Sequence, residues 1–158
     1  MKLRFVDGGT VLSGLIKARE GVCYPFTPSH VEIVVAEGYL GAVEQLMGAS
    51  GVAIRPVGYD ARFKQEAFVT VKLPDEAGAE AWARSKIGTP YDWAALFDFV
   101  LPINVNEARH LICSAFALLA LRTGKLWTPH QIAVPAHGIS PRDLLLVLSS
   151  QSFDVVSL

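Results

Sequence analysis

Cysteine is scarce in this chain: its 158 residues include two, Cys23 and Cys113. That is too few for a disulfide framework, and two free thiols are a simpler reading than a single bridge. Charge is scarce as well. Charged residues make up 18%, with 14 basic against 15 acidic and a formal net charge of -1. No basic face is available for nucleic acid, and no polybasic stretch to hold an anionic membrane. No window approaches the ~18 consecutive apolar residues of a transmembrane helix. The opening MKLRFVDGG has neither the apolar segment nor the small-residue cleavage site of a signal peptide, so cytoplasmic synthesis is expected. Internal repeats, low-complexity runs and linkers are lacking too.

What is present is apolar. Hydrophobic residues make up 51%, with 13 Gly and 9 Pro, a globular composition. The length is that of one domain spanning 1–158, enough to bury a core without staples. The apolar surplus fits a homo-oligomer interface or a greasy substrate groove.

Local patterning sets the element order. TVLSGLIKAR, 10–19, reads as a short helix with Thr10 or Ser13 near its cap. GVCYPFTPS is a loop, marked by its Gly and two Pro. HVEIVV, 30–35, alternates and is rich in β-branched residues, so it reads as a strand, with AEGYLG as its turn. AVEQLMG, GVAIRPV and AFVTVKL read as further strand segments. PDEAGAEAWARSKIG has acids in its first turn and bases before its closing Gly, as a helix macrodipole favours. YDWAALFDFV is a second helix with Asp92 as its cap, and LICSAFALLALRTG a third, closed by Gly124. SPRDLLLVL is a capped helix with Ser140 at the N-cap and Pro141 at the first position. SFDVVSL reads as an edge strand. Strands and helices are segregated, so the fold class is α+β with an antiparallel sheet.

Cys113 opens the most apolar of these helices. At a helix start beside an imidazolium, a thiol pKa falls from about 8.5 into the ~3.5–7.5 range. A cysteine in an apolar helix is equally at home as a small core residue, and that segment alone favours the core. His30 begins a strand at the mouth of a loop, where a rigid scaffold and solvent access meet. A strand-end histidine with an ordinary hydrogen bond is as good a reading of His30 alone.

A histidine base needs an orienting partner. A hairpin turn centred near Glu37–Gly38 would place His30 opposite Glu44 or Gln45, and Glu44 is then within cross-strand reach. Glu32 shares a face with His30 but sits farther along one strand, where a solvated position is the plainer reading. In GTPYDWAAL, Tyr91 stands where a hydroxyl could donate near the nucleophile, although a half-buried tyrosine with a wet hydroxyl is common. Cys23 lies seven residues before His30 in a Pro-flanked loop without a helix start, and is read as structural. No Cys-x-x-Cys and no His-x-x-x-His is present, and His110, His130 and His137 lie in unrelated contexts, so neither a metal nor a cofactor is implied.

SHVEIVV, then VEQL and GVAIRPV, then GTPYDWAALFDFV, then CSAFALLALRTG, then ISPRDLL, together resemble the circularly permuted branch of the NlpC-type cysteine peptidases. These are papain-like α+β proteins that also resemble lecithin:retinol acyltransferase. The permuted order is the one seen here, with the histidine strand before the cysteine helix. The resemblance covers roughly residues 10 to 155. It implies a papain-like sheet, open or barrel-like, packed against helices. It also implies Cys113 as nucleophile, His30 as base, Glu44 as the third, orienting residue and Tyr91 close to the nucleophile. The family's helix often continues Cys-Ser with an acid or Gly, whereas this chain continues with Ala115 and Phe116.

The activity so implied is acyl transfer through a Cys113 thioester, as a cysteine peptidase or amidase. Its substrate would be a peptide, a peptidoglycan stem-peptide fragment or an acyl lipid. A wall substrate would need an export route other than a signal peptide, such as phage lysis or a virion. The rival reading is a binding or phage structural module that keeps the fold without the chemistry.

Overall fold

The computed structural model describes residues 1–7, 26–43, 51–59, 65–91, 111–127, 136–151 and 154–157. Several expectations fall outside these residues: the helix over 10–19, the helix after Tyr91 with its cap Asp92, and the residues Cys23, Glu44, His110 and His130.

The fold is α+β, as the segregation of patterns predicts. Strands β1 (Lys2–Val6), β2 (His30–Val35), β3 (Gly38–Val43), β4 (Gly51–Arg55) and β5 (Glu66–Thr70) come first. Helices α1 (Glu76–Ser85), α2 (Cys113–Thr123) and α3 (Pro141–Ser150) follow, and β6 (Asp154–Ser157) closes the sheet. The six strands lie in the order β4-β3-β2-β1-β5-β6, with every pairing antiparallel. Among the described residues, no helix is long and apolar enough to cross a membrane.

The sequence pattern missed β1. KLRFV looks like an unremarkable lead-in, and the element order was expected to begin with a helix. Instead it forms a central strand, flanked by β2 and β5. Its period-2 alternation explains why. Leu3 and Phe5 turn into the core, where they meet Val31 and Ile33 of β2, while Arg4 pairs with Glu32 on the alternate positions.

The β2–β3 hairpin is also tighter than its pattern implied. The turn occupies Ala36 and Glu37 only, and Gly38 already pairs with Val35. Gly38 has φ +141°, and a Cβ there would sit 2.0 Å from the Arg55 carbonyl oxygen, so only glycine opens this strand. The register pairs Ile33 with Leu40, tighter than a turn centred near Glu37–Gly38 would give. In a hairpin a slip of one residue exchanges the two faces.

Helix α1 is capped by Asp75, which accepts from Gly78 N at 2.9 Å, and it buries Ala79 and Ala83. Helix α3 is capped by Ser140, which accepts from Asp143 N at 3.0 Å, with Pro141 in the first turn. Helix α2 packs across β2 and β3 and against both other helices. It buries Phe116, Ala117, Leu118 and Leu121, and Trp82 of α1 stacks on Phe116 with ring centroids 5.9 Å apart. Packing α2 over β2 is what brings its first residue toward the first residue of that strand.

Candidate active site

Cys113 is the first residue of α2, a free cysteine that is 4% exposed. The preceding residue, Ile112, has extended backbone and no side chain caps the helix. The first-turn N–H groups are therefore left to other acceptors, and the positive end of the helix dipole falls at the Cys113 side chain. Next to it, Ser114 is committed to structure. Its hydroxyl donates to the Ile139 carbonyl oxygen at 2.7 Å and fastens α2 to the entry of α3.

His30, the first residue of β2, has a side chain 14% exposed. Its ring lies between two partners, the Cys113 thiol and the Glu32 carboxylate. Nε2 is 3.4 Å from Glu32 Oε1. This is an ion pair rather than a well-directed hydrogen bond, since the buried Nε2 has no hydrogen-bond partner of good geometry among the described residues. Burial by itself pulls the imidazole pKa down. The charge and hydrogen bond of Cys113, with the close carboxylate of Glu32, outweigh it, and the His30 pKa is pushed up to about 10.

Glu32 is fully buried, which corrects the expectation of a solvated strand position. Burial raises its pKa, but contacts to His30, Tyr59 and Arg4 overcome that and hold the carboxyl below its ordinary value. Oε1 accepts from the Tyr59 hydroxyl at 2.5 Å, and Oε2 from Arg4 Nη1 at 3.3 Å. Arg4 is fixed in turn. Its Nε donates to Glu66 Oε2 at 2.6 Å, and its guanidinium lies 4.2 Å from the centroid of Tyr39. Room for the buried glutamate comes from β3, where a Cβ on Gly41 would stand 3.2 Å from Glu32 Cγ.

The structure thus brings together Cys113 and His30 and gives the histidine an acid, Glu32. The expected acid, Glu44, lies outside the described residues. Tyr91 is buried, and its backbone bridges to Leu111, two residues before Cys113, where Leu111 N donates to the Pro90 carbonyl oxygen at 3.3 Å. His137 stands in the short 3-10 turn Ala136–Gly138. Sequence reasoning did not single out Arg4, Tyr59 or Arg55. Arg4 carried one usable signal, a cation at an alternate position of an otherwise apolar strand. Tyr59 and Arg55 carried none, because their roles depend on contacts across strands.

No family model, curated protein or solved structure matches this chain.

Proposed function

We propose that this chain is a cysteine-dependent acyl-transfer enzyme, a peptidase or amidase of the papain-like, permuted NlpC type, with Cys113 as nucleophile, His30 as general base and acid, and Glu32 as the orienting carboxylate. The observation that carries this reading is the His30 ring held between the Cys113 thiol and the buried Glu32. A nucleophile, a base in contact with it and a third group fixing the base form the arrangement that activates a thiol.

In the reaction, the Cys113 thiolate attacks the carbonyl carbon of an amide or ester. The carbonyl oxygen becomes an oxyanion, which the Cys113 backbone N–H at the helix start can stabilise. One such donor is worth roughly 10²–10³-fold in rate. His30 gives its proton to the departing amine or alcohol, leaving a thioester. Neutral His30 then takes a proton from water as the water attacks that thioester. Collapse of the second tetrahedral adduct expels the thiolate, restores the ion pair and releases the carboxylic acid. Glu32 holds the ring orientation and stabilises its cation throughout. Tyr91 is a second oxyanion donor on this reading. Substrates are peptide amides, including stem-peptide fragments, or N-acyl and acyl-ester lipids.

The test is the pH dependence of Cys113 alkylation, read by peptide mass mapping in wild type and His30→Ala, with Cys23 as internal reference. The reading expects Cys113 to react well below pH 8 and to lose that reactivity without His30. A Cys113 that is inert, or that titrates like Cys23 in both proteins, overturns it and leaves a binding or structural module of the same fold.

A further inference from the structure

Arg55 is a second buried arginine in the same cluster, and it is provided for quite differently from Arg4. Arg4 meets two carboxylates, Glu32 and Glu66. Arg55, 8% exposed at the end of β4, meets none within ion-pair distance among the described residues. Its hydrogen bonds run from Nη1 to the backbone carbonyls of Gly41 and Ala53, both at 3.5 Å, the weak limit for such bonds. Its guanidinium carbon stands 5.8 Å from the Tyr59 ring centroid. Nε and Nη2 take no partner among the described residues.

Position makes this matter. Gly41, whose carbonyl Arg55 touches, lies directly against the Glu32 side chain. Tyr59, against which Arg55 leans, donates to that same carboxylate. Glu32 itself is already committed to His30, Tyr59 and Arg4, so it is not available as Arg55's own counter-ion. Burial pulls the Arg55 pKa down, and the charge of Glu32 opposes this only in part. Among the described residues, the fold therefore keeps a desolvated cation beside the candidate triad without a carboxylate of its own.

We propose that Arg55 binds a carboxylate of the substrate, so that the site prefers acyl substrates bearing a free carboxylate near the scissile bond. The proposal rests on the acyl-transfer reading for the word substrate, but the anion site itself does not need it. A planar guanidinium fork matches a carboxylate in geometry, and such charge-assisted bonds are about twice as strong as neutral ones.

The experiment compares matched alkylating probes on the whole chain: iodoacetate against iodoacetamide, and iodoacetylglycine against iodoacetylglycinamide. Rates at Cys113 are read by mass mapping in wild type, Arg55→Gln and Arg55→Lys. The carboxylate-to-amide rate ratio divides out any change in Cys113 reactivity common to both probes. For at least one probe length, that ratio should fall about tenfold in Arg55→Gln, the size of one charge-assisted hydrogen bond, and less in Arg55→Lys. An unchanged ratio at both lengths overturns the proposal. A second measurement needs no reactive cysteine and no glutamine variant. The Nε–H signal of Arg55, assigned by Arg55→Lys, is followed by NMR as wild type is titrated with N-acetylglycine, N-acetylglycinamide or dimethyl phosphate. A saturable shift with N-acetylglycine and not with its amide is expected. A response to neither, to both equally, or to dimethyl phosphate alone overturns the carboxylate site, the last in favour of a lipid headgroup. If Cys113 proves inert while N-acetylglycine still moves Arg55, the anion site stands and the enzyme reading falls. If Cys113 reacts through His30 while Arg55 responds to nothing, only this proposal falls.

Discussion

Tyr59 donates its hydroxyl to Glu32 Oε1 at 2.5 Å, reaching from a surface turn to a carboxylate with no solvent exposure. The turn runs from Pro56, whose carbonyl accepts from Tyr59 N at 3.2 Å, and its tip residue Val57 is 74% exposed. The acid behind His30 is therefore held from two directions, by Arg4 within the sheet and by Tyr59 from outside it. Both contacts favour the ionised carboxylate, and an ionised Glu32 favours a charged His30.

Tyr59→Phe removes one of those two contacts and keeps the ring against Arg55. Losing a hydrogen bond to a charged acceptor costs about 1.5–3 kcal/mol of stability. The more telling effect is on ionisation. With one donor gone, the Glu32 pKa rises and its hold on the imidazolium weakens, so the His30 pKa drops. Following His30 by NMR through a pH titration of both proteins checks this; an unmoved histidine with a lowered melting temperature would make Tyr59 a purely structural residue.

Glu32→Gln separates the two candidate acids. The change keeps the shape and removes the charge that pairs with Arg4 and His30. Acyl transfer should fall roughly 10²–10⁴-fold, the range for losing the orienting carboxylate of a catalytic histidine. Stability should fall as well, by about 3–5 kcal/mol, because two buried cations lose their counter-ion. Glu44→Gln should leave the His30-dependent alkylation of Cys113 as it is. If Glu44→Gln abolishes that dependence and Glu32→Gln does not, the carboxylate assignment is reversed.

What was legible in the chain followed from short-range periodicity. The strand at His30–Val35, the helix at Cys113–Thr123 and the capped helix at Pro141–Ser150 each carry their pattern within ten or so residues. The contact between His30 and a carboxylate did not, because it depends on placement in the sheet that no short window shows. Nor did the burial of Glu32. A glutamate at an alternate strand position reads as solvated unless β1 is known to lie beside it with Arg4 opposite. The pairing of Cys113 with His30 was reachable only through the resemblance, since nothing local links positions so far apart.

The pH dependence of stability has a defined sign on each side. The His30 pKa is raised from an ordinary 6.5 to about 10, so the folded chain holds that proton more tightly than the unfolded one. Its contribution is complete below pH 6.5 and is lost as the pH climbs toward 10. Glu32 is lowered from 4.5, so its contribution is present above that value and is lost as the pH falls below it. Thermal unfolding should therefore be most favourable to the fold between these limits. His30→Gln should flatten the alkaline limb and leave the acid limb in place. Melting temperatures at pH 4, 6 and 9.5 in both proteins decide it, and an unchanged alkaline limb would show that another group carries it.

Ser114→Ala tests whether the residue beside the nucleophile belongs to the chemistry. Its hydroxyl is spent on the Ile139 carbonyl at 2.7 Å, in a position 1% exposed. Deleting it leaves a buried carbonyl short of a donor, at a cost of about 1–3 kcal/mol. Cys113 alkylation should keep its pH profile and its dependence on His30, while the melting temperature falls. A profile that moves with Ser114→Ala would mean that the anchor to Ile139 positions the start of α2, and with it the sulfur.

Gly41→Ala probes the space that Glu32 occupies. The added methyl would come within 3.2 Å of Glu32 Cγ, tighter than ordinary contact, and both carboxylate oxygens of the glutamate are already held. Overpacking of this kind costs typically about 1–3 kcal/mol. The displaced carboxylate would also change its distance to His30 Nε2, now 3.4 Å. Stability and the His30 titration should thus shift together, with His30 losing its proton at lower pH than in wild type. If the protein is destabilised but His30 titrates as before, the methyl has been absorbed by β3, and the glycine serves the sheet rather than the acid.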